Sequence, residues 1–349
     1  MLNSSGVGVY LSGCLKFFLK SVNNFILLGD KNKLIIYIRE GKDSIIDCNI
    51  KPFSFKEIVF FPKKLLRQIN KADAFFSPFF CIPRGISVPI YTTIHDIIFP
   101  DMPEMTSRPG LMIRMYFYHR AYTLSKKIFT VSEFSQSRIN YHLGNNKPVI
   151  VTYSSVLKSF LDYTNKVSKT QKNNTIVFIG NIKKNKGLDC LLEAFRLLIE
   201  DNFDYKLIII GEKSNFRTAD NSILLKIGTF KRDSILFTGY ISDEILMDYI
   251  SRASLLVQPS LYEGFCLPPL QALVLGTKAL ISDIPVLKEI YKDFPVNYFK
   301  AGDPVDLKNK MAESLSDQSS LKLTDNLLNK YNFEKTASII LDNINSVSG

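Results

Sequence analysis

The sequence predicts an α/β protein made of two doubly wound, parallel-sheet units in succession. Three observations predict it. The chain has 349 residues, enough for two cores of ordinary size. In both halves short β-rich runs alternate with helix-period patterns, the arrangement that parallel strands with crossover helices require. Between the halves, around Lys158–Asn174, the text turns polar (KVSKTQKNN) and reads as a linker. The expected units are residues 1–160 and 161–330, followed by a terminal helical segment, 331–349.

In the first half the strands are expected at Phe25–Leu28, Leu34–Ile38, Ile58–Phe61, Ala74–Ser77, Ile90–Ile94, Ile128–Val131 and Val149–Tyr153. Each is a short run of β-branched and aromatic residues. Helical periodicity marks Tyr10–Leu19, Lys63–Lys71 and Leu111–Ser125. Thr130–Ser135 (TVSEFS) closes a strand and opens a helix, with Ser132 as its N-cap. The second half repeats the logic. Strands are expected at Thr175–Ile179, Lys206–Ile210, Ile235–Thr238, Leu255–Gln258 and Ala279–Ser282, with helices at Leu188–Ile199, Asp243–Ser251, after Pro268, and at Glu334–Ile344.

Composition narrows the class. The chain is 46% hydrophobic and 22% charged, as in an ordinary soluble globular protein. No apolar run reaches the roughly 18–20 residues that span a bilayer, and the N-terminus has no signal-peptide pattern. Five scattered cysteines (Cys14, Cys48, Cys81, Cys190, Cys266) lack metal-ligand spacing and read as reduced thiols of a cytoplasmic protein. The net charge of +11 is segregated. Residues 1–160 carry 21 Lys+Arg against 10 Asp+Glu, whereas 161–349 carry 23 of each. Such asymmetry points the first half at an anionic partner. No nucleic-acid motif accompanies it. Two basic amphipathic stretches, 63–71 and 108–127, suit an anionic membrane surface.

The most chemically informative stretch is Pro259–Gly276, PSLYEGFCLPPLQALVLG. Glu263 sits in a glycine-containing turn that runs into a helix. Pro268 and Pro269 suit the first helical turn, where an amide hydrogen has no partner anyway. Leu270, Leu273 and Val274 then form an apolar helical face. Amides at such a helix start are expected to receive an anion. A second loop, Gly180-Asn181-Ile182-Lys183-Lys184-Asn185-Lys186-Gly187, follows a strand and precedes a helix, so it offers glycine for close approach and lysine for phosphate. His95 and Asp96 close the strand ending at Ile94, where parallel sheets place functional groups. His119 and His142 lack such context and read as structural.

PSLYEGFCLPPLQ resembles the signature of retaining, sugar-nucleotide-dependent glycosyltransferases of family 4, whose fold is GT-B: two Rossmann-like domains with a cleft between them. The resemblance runs along essentially the whole chain and is strongest over Thr175–Pro285. It implies a donor-binding second domain and an acceptor-binding first domain, with the terminal helix packing back on the first. It implies that Glu263 contacts the transferred sugar and that Gly264, Phe265, Cys266 and Leu267 support sugar and phosphate. Lys186 matches a phosphate-binding lysine, with Gly180, Asn181 and Lys183 beside it. Gly6 and Gly8 match a glycine loop beneath the donor phosphates. His95 is expected to take part in the reaction, with Asp96 and Glu133 on the acceptor side.

Two positions depart from the family pattern. Cys266 stands where glycine is usual, and Gln271 replaces a second glutamate that grips the ribose. An amide there offers only neutral hydrogen bonds. The chain also begins at text that follows the family's first strand, which leads to the expectation of a truncated start. The resulting expectation is a cytoplasmic hexosyltransferase without cofactor or metal, associated with the inner face of the membrane. It would use GDP-mannose or a UDP-sugar on a saccharide or lipid-linked acceptor, in O-antigen or capsule synthesis. The competing expectation is an impaired relative that binds a sugar nucleotide or a membrane without turnover.

Overall fold

The structure is a computed structural model that describes residues 6–22, 24–50, 60–166, 171–211, 221–231, 233–319, 321 and 323–346. The chain divides into two compact units, Met1–Ser155 with Tyr331–Gly349, and Val156–Lys330.

The first unit runs α1 (Gly6–Ser21), β1 (Ile26–Gly29), α2 (Lys31–Leu34), β2 (Ser44–Asp47), α3 (Lys63–Ile69), β3 (Phe75–Ser77), β4 (Ile90–Thr93), α4 (Ile98–Asp101), α5 (Arg108–Leu124), β5 (Ser125–Thr130), α6 (Glu133–Leu143) and β6 (Val149–Val151). β3, β4, β5 and β6 form a parallel sheet in that order, and β1 and β2 pair separately, also in parallel. β4 is buried along its whole length, as expected for a strand covered on both faces. Ile94, Ile97, Phe117, Tyr118, Ile128 and Ile139 pack around it. The C-terminal helix Phe333–Asn345 belongs to this unit and lies against α1. Gly13 permits that contact, because a Cβ there would sit 2.2 Å from the Phe333 ring.

The second unit runs α7 (Lys158–Lys166), β7 (Asn173–Ile179), α8 (Leu188–Glu200), β8 (Lys206–Ile210), α9 (Asn221–Gly228), β9 (Ile235–Gly239), α10 (Asp243–Arg252), β10 (Ala253–Gln258), α11 (Pro268–Val274), β11 (Lys278–Ser282), α12 (Pro285–Tyr291), β12 (Asn297–Phe299), α13 (Pro304–Ser316) and α14 (Asp325–Lys330). Its six strands are all parallel, in the order β12-β11-β10-β7-β8-β9. The chain starts in the middle, winds outward through β8 and β9, then returns to β10 on the other side of β7. This is the doubly wound order with a switch point between β7 and β10. The strands are near-continuous apolar runs with a core of Ile176, Phe178, Phe195, Leu207, Ile209 and Val257.

Several expectations need correction. Leu34–Ile38 is not a strand. The Asp30 side chain accepts a hydrogen bond from Asn32 N at 3.0 Å and starts α2, which tightens into a 3-10 turn over Ile35–Tyr37. Only Leu34 of this apolar run is buried, and Ile35 and Ile36 lie on the surface, 48% and 76% exposed. Of Ile58–Phe61, residues 58–59 lie outside the described residues, and Phe60 and Phe61 are in no strand. The polar stretch 158–174 is no simple linker, since it contains α7 and the start of β7. Gly6 and Gly8 lie in the first turn and a half of α1 rather than in a loop. β2, β12 and the helices α2, α9 and α13 were not anticipated. Ser132 does cap α6, accepting from Ser135 N at 3.0 Å.

Candidate functional site

In a doubly wound sheet, ligands bind beyond the carboxyl ends of the strands at the switch point. β7 ends at Ile179 and delivers the loop 180–187, while β10 ends at Gln258 and delivers the loop 259–267. These are the two loops carrying the motifs. The fold therefore brings together lysine and glutamate that lie 77 positions apart in sequence: Lys186 Nζ is 2.6 Å from Glu263 Oε1. Both side chains are mostly buried, 23% and 9% exposed. An anionic ligand arriving here meets a cation already held by a carboxylate, and the Glu263 oxygens meet any neutral donor group.

The pair is held from behind. Ser260 Oγ donates to Glu263 Oε1 at 2.7 Å and accepts from Gln258 Nε2 at 3.0 Å. Ser282 Oγ on β11 donates to Ser260 O. The two loops are also tied to each other. Leu261 N donates to Asn185 O at 2.7 Å, and Asn185 Nδ2 donates to Tyr262 O at 3.0 Å. Gly187 makes this approach possible. Its φ is +65°, and a Cβ on it would lie 1.9 Å from Pro259 O. Gly180 is pressed equally closely, since a Cβ on Gly211 would lie 2.2 Å from its carbonyl oxygen.

Beyond Glu263 the turn takes an unusual shape. Cys266 has φ +71°, a left-handed conformation that glycine adopts freely and other residues adopt at a cost. Burial, followed by the neighbouring Glu263 carboxylate, pushes its thiol well above the usual range, so it stays protonated. The amides of Gly264, Cys266 and Leu267 donate no hydrogen bond among the described residues. A left-handed residue followed by a right-handed one (Leu267, φ −72°, ψ −35°) turns successive amides into a concavity suited to an anion.

The helix start itself differs from expectation. Pro268 and Pro269 have no N–H, and Leu270 N donates to the Tyr291 hydroxyl at 3.2 Å. α11 thus presents no unbonded first-turn amide, and the anion-receiving amides belong to the preceding turn. Leu270, Leu273 and Val274 are buried as expected. Gln271 is 8% exposed, and its side chain makes no hydrogen bond among the described residues. Asn181 is half-buried at the end of β7, and Lys183 is exposed where the 3-10 turn Lys184–Lys186 begins.

The first unit places His95 and Asp96 just past β4. His95 Nε2 lies 2.9 Å from Pro78 O. A carbonyl only accepts, so Nε2 carries the hydrogen and Nδ1 is left as an acceptor. Burial pulls the pKa of His95 down to about 4, which keeps the ring neutral near pH 7. The Tyr10 ring meets it edge-on at 5.0 Å. Asp96 Oδ1 accepts from Ile98 N at 3.2 Å. Glu133, exposed at the start of α6, accepts from the Tyr153 hydroxyl at 3.3 Å. Among the described residues no cluster of His, Cys, Asp and Glu could hold a metal ion, and no helix is long and apolar enough to cross a membrane.

The sequence profile of the glycosyl transferases group 1 family matches residues 160–331, which spans the whole switch-point site. This segment belongs to that family. The chain is 29% identical over 262 residues to O-antigen chain mannosyltransferase B of Escherichia coli, covering 70% of this chain and 66% of that one. It is 28% identical over 167 residues to O-antigen chain mannosyltransferase RfbU of Salmonella typhimurium, covering 47% and 44%. The chain thus spans about two thirds of the first relative's length and less than half of the second's. Among solved structures, a glycosyltransferase from Rickettsia africae superposes with a TM-score of 0.69 at 14% identity, covering 98% of this chain and 95% of that one. Anabaena HepE, solved in complex with UDP and glucose, gives 0.69 at 14% identity with 99% and 98% covered. The fold is that of the GT-B glycosyltransferases, with two Rossmann-like units.

Three contributors to this switch-point site carried no signal in the sequence. Asn185 lay within a loop read for its lysines, although its backbone and side chain tie the two loops. Gly187 stands in the sequence only as a loop terminus, and the atom that excludes a Cβ from it, Pro259 O, lies 72 positions away. Tyr291 lies on α12, outside any motif.

Proposed function

We propose that this chain is a retaining glycosyltransferase that transfers a hexose from a nucleoside-diphosphate sugar to a saccharide or lipid-linked saccharide acceptor in bacterial surface polysaccharide synthesis. The observation that carries the reading is the meeting of Lys186 and Glu263 at the switch point of a family-matched domain. Mannose is the first hexose to test, because the matched relatives are named O-antigen chain mannosyltransferases. GDP-mannose and UDP-sugars are the donors considered.

In this reading the second unit holds the donor. Lys186 and the Gly264, Cys266 and Leu267 amides take the diphosphate, Glu263 orients the sugar hydroxyls, and Gln271 serves the ribose. Gly180, Asn181, Lys183 and Phe265 line the same site. The bond from the sugar's anomeric carbon to the diphosphate breaks, a bond to the acceptor hydroxyl oxygen forms, and the hydroxyl proton leaves with the nucleoside diphosphate. Charge grows on the leaving diphosphate, so donors already aimed at it lower the barrier. The Lys186–Glu263 contact has a consequence: the diphosphate competes with a carboxylate for the same ammonium, so productive binding frees Glu263 for the sugar. The first unit supplies the acceptor side, with neutral His95 accepting from a hydroxyl through Nδ1, with Asp96 next to it in the chain, and with Glu133 two residues from Ser135, whose hydroxyl donates to His95 O. Gly6 and Gly8 let the start of α1 approach a phosphate.

Membrane contact belongs to the same proposal. Neither α3 nor α5 contains an acidic residue. α5 buries Phe117, Tyr118, Ala121 and Tyr122 and leaves Met112 73% and Ile113 58% exposed beside Arg108. Arg120 on α5 donates to Ile82 O and Pro83 O, and Leu66 on α3 abuts Gly85. The loop 82–85, with exposed Arg84, thus contacts both helices, which supports reading their basic and apolar residues together as a surface for anionic lipid.

A donor screen by thermal shift, followed by product analysis with Glu263→Ala as control, tests the enzyme reading. Transfer that disappears in the variant supports it. Donor binding with no turnover in the wild type would instead favour the non-catalytic reading that Gln271 suggests. Cosedimentation with anionic vesicles tests this surface. The triple variant Met112→Ser, Ile113→Ser, Tyr116→Ser is expected to bind about tenfold more weakly, and wild-type protein that stays in solution at low salt would remove the membrane proposal.

A further inference from the structure

Tyr291 is the last residue of α12, completely buried, with its ring packed edge-on against Phe294 at 5.7 Å. Its hydroxyl does two things. It donates to Cys266 O, and it accepts from Leu270 N at 3.2 Å. One oxygen therefore joins the turn that follows Glu263 to the first turn of α11, across the two prolines that cannot bond there themselves. The sequence separation, 25 residues to Cys266 and 21 to Leu270, hides this link from any local motif.

The clamp has a geometric effect on the amides of the turn. No described peptide bond is cis. In a trans peptide the C=O and the following N–H lie in one plane and point in opposite directions. Holding Cys266 O on the Tyr291 hydroxyl thus fixes the Leu267 N–H to point away from Tyr291. That N–H is one of the three that make no hydrogen bond among the described residues. Cys266 is also in a left-handed conformation that its side chain disfavours, so this turn holds its shape only if something outside it does the holding.

We infer that Tyr291 is a positioning residue for transfer: its hydroxyl aims the Leu267 amide at the leaving diphosphate and keeps the Cys266 turn in its strained form. The inference rests on the donor-site reading above. A preaimed N–H acts most strongly where charge develops, in the transition state. Removing the hydroxyl should therefore lower kcat more than it raises the donor KM.

The test compares Tyr291→Phe with Tyr298→Phe in the full chain, well below the melting temperature of either. Tyr298 is the control because its hydroxyl bonds Leu287 O at 3.4 Å, away from the turn. Tyr291→Phe is expected to lose about tenfold in kcat with a donor KM within about threefold of wild type. Tyr298→Phe is expected to keep both. A Tyr291→Phe enzyme with wild-type kcat overturns the inference and leaves the functional reading standing. Wild-type protein that neither binds nor turns over any screened donor overturns the reading itself. If Tyr291→Phe does not fold, hydrogen exchange on the wild type decides. Leu270 N–H should be protected with or without nucleoside diphosphate, and Leu267 N–H should become protected only when it is added. An unprotected Leu270 amide, or a Leu267 amide indifferent to the diphosphate, overturns the inference.

Discussion

The two units place their candidate residues at equivalent points, just past the carboxyl ends of central parallel strands, yet they hold them in different ways. In the second unit Glu263 is fixed by Ser260 and Lys186, Ser260 by Gln258 and Ser282, and the two loops by Asn185. In the first unit His95 has Pro78 O and the Ser135 hydroxyl, Asp96 has Ile98 N, and Glu133 has the Tyr153 hydroxyl. The second site contains opposite charges in contact, whereas His95 is neutral. The same fold position carries an ion pair in one unit and a neutral ring in the other, which under the proposed function answers to a charged donor and to uncharged hydroxyls. A preorganised network suits the partner whose charge changes during reaction. Neutral hydroxyls need less, since each hydrogen bond to them contributes only about 1 kcal/mol.

The largest expected effect separates these two kinds of site. Glu263→Ala should lower kcat/KM by about a thousandfold, as loss of an electrostatic contact does, and it leaves Lys186 without its carboxylate. His95→Ala should cost about tenfold, the value of one neutral hydrogen bond. Steady-state kinetics on both variants measures the contrast. Equal losses would show that the first unit is as electrostatically committed as the second.

A matched pair of glycines tests the packing side of the comparison. Gly187→Ala combines a left-handed backbone with a Cβ 1.9 Å from Pro259 O, so the 180–187 and 259–267 loops must part. A loss of about 3 kcal/mol is expected, with donor binding impaired. Gly144 in the first unit also has positive φ, +102°, but nothing lies within 4 Å of its Cβ position. Gly144→Ala should cost about 1 kcal/mol from backbone strain alone. Denaturant titration of the two variants reads the difference directly.

Acid should discriminate the units as well. The pKa of folded His95 is about 4, below its unfolded value of 6.5. The unfolded chain therefore takes up this proton first as pH falls. Stability is unaffected above pH 6.5, declines as pH drops from 6.5 towards 4, and levels off below, with a full loss of at most about 3 kcal/mol. His95→Gln should flatten that segment of the stability curve, and an unchanged slope would show that the ring titrates alike in the folded and unfolded chain. Gln271→Glu comes next in size. It restores a charged acceptor on α11 and should tighten nucleoside-diphosphate affinity about tenfold by calorimetry if the ribose lies there.

Legibility in the sequence follows how local each determinant is. The six parallel strands of the second unit needed only apolar runs between helices, and five were visible, because burial on both faces forces that composition. β12, with three residues, was too short to stand out. Leu34–Ile38 misled because an exposed apolar 3-10 turn has the composition of a strand, and the deciding cap, Asp30, lies outside the run. Glu263 and Lys186 were legible through their motifs. Their contact was legible only through the switch-point topology. Asn185 and Tyr291 act through backbone atoms of distant loops, and no residue pattern encodes such a partner.

The smallest effect concerns the residue that departs from the family's glycine. At Cys266 two quantities oppose each other: φ of +71° costs about 1–2 kcal/mol for any residue with a Cβ, while the buried thiol contributes packing of about 1 kcal/mol. Cys266→Gly removes both and also enlarges the entropy of the unfolded chain, so its net change should be small. Cys266→Ala loses the sulfur but keeps the strain. The glycine variant should therefore be about 1 kcal/mol more stable than the alanine variant, although glycine ordinarily ranks below alanine. Tyr153 in the first unit, with φ of +28°, provides the contrast. Its ring packs on Tyr331 at 5.1 Å and its hydroxyl reaches Glu133, so Tyr153→Gly should lose more than the strain it relieves. Opposite preferences for glycine at the two positions would mean that strain in the second unit serves the shape of the turn, whereas in the first it is tolerated for the side chain.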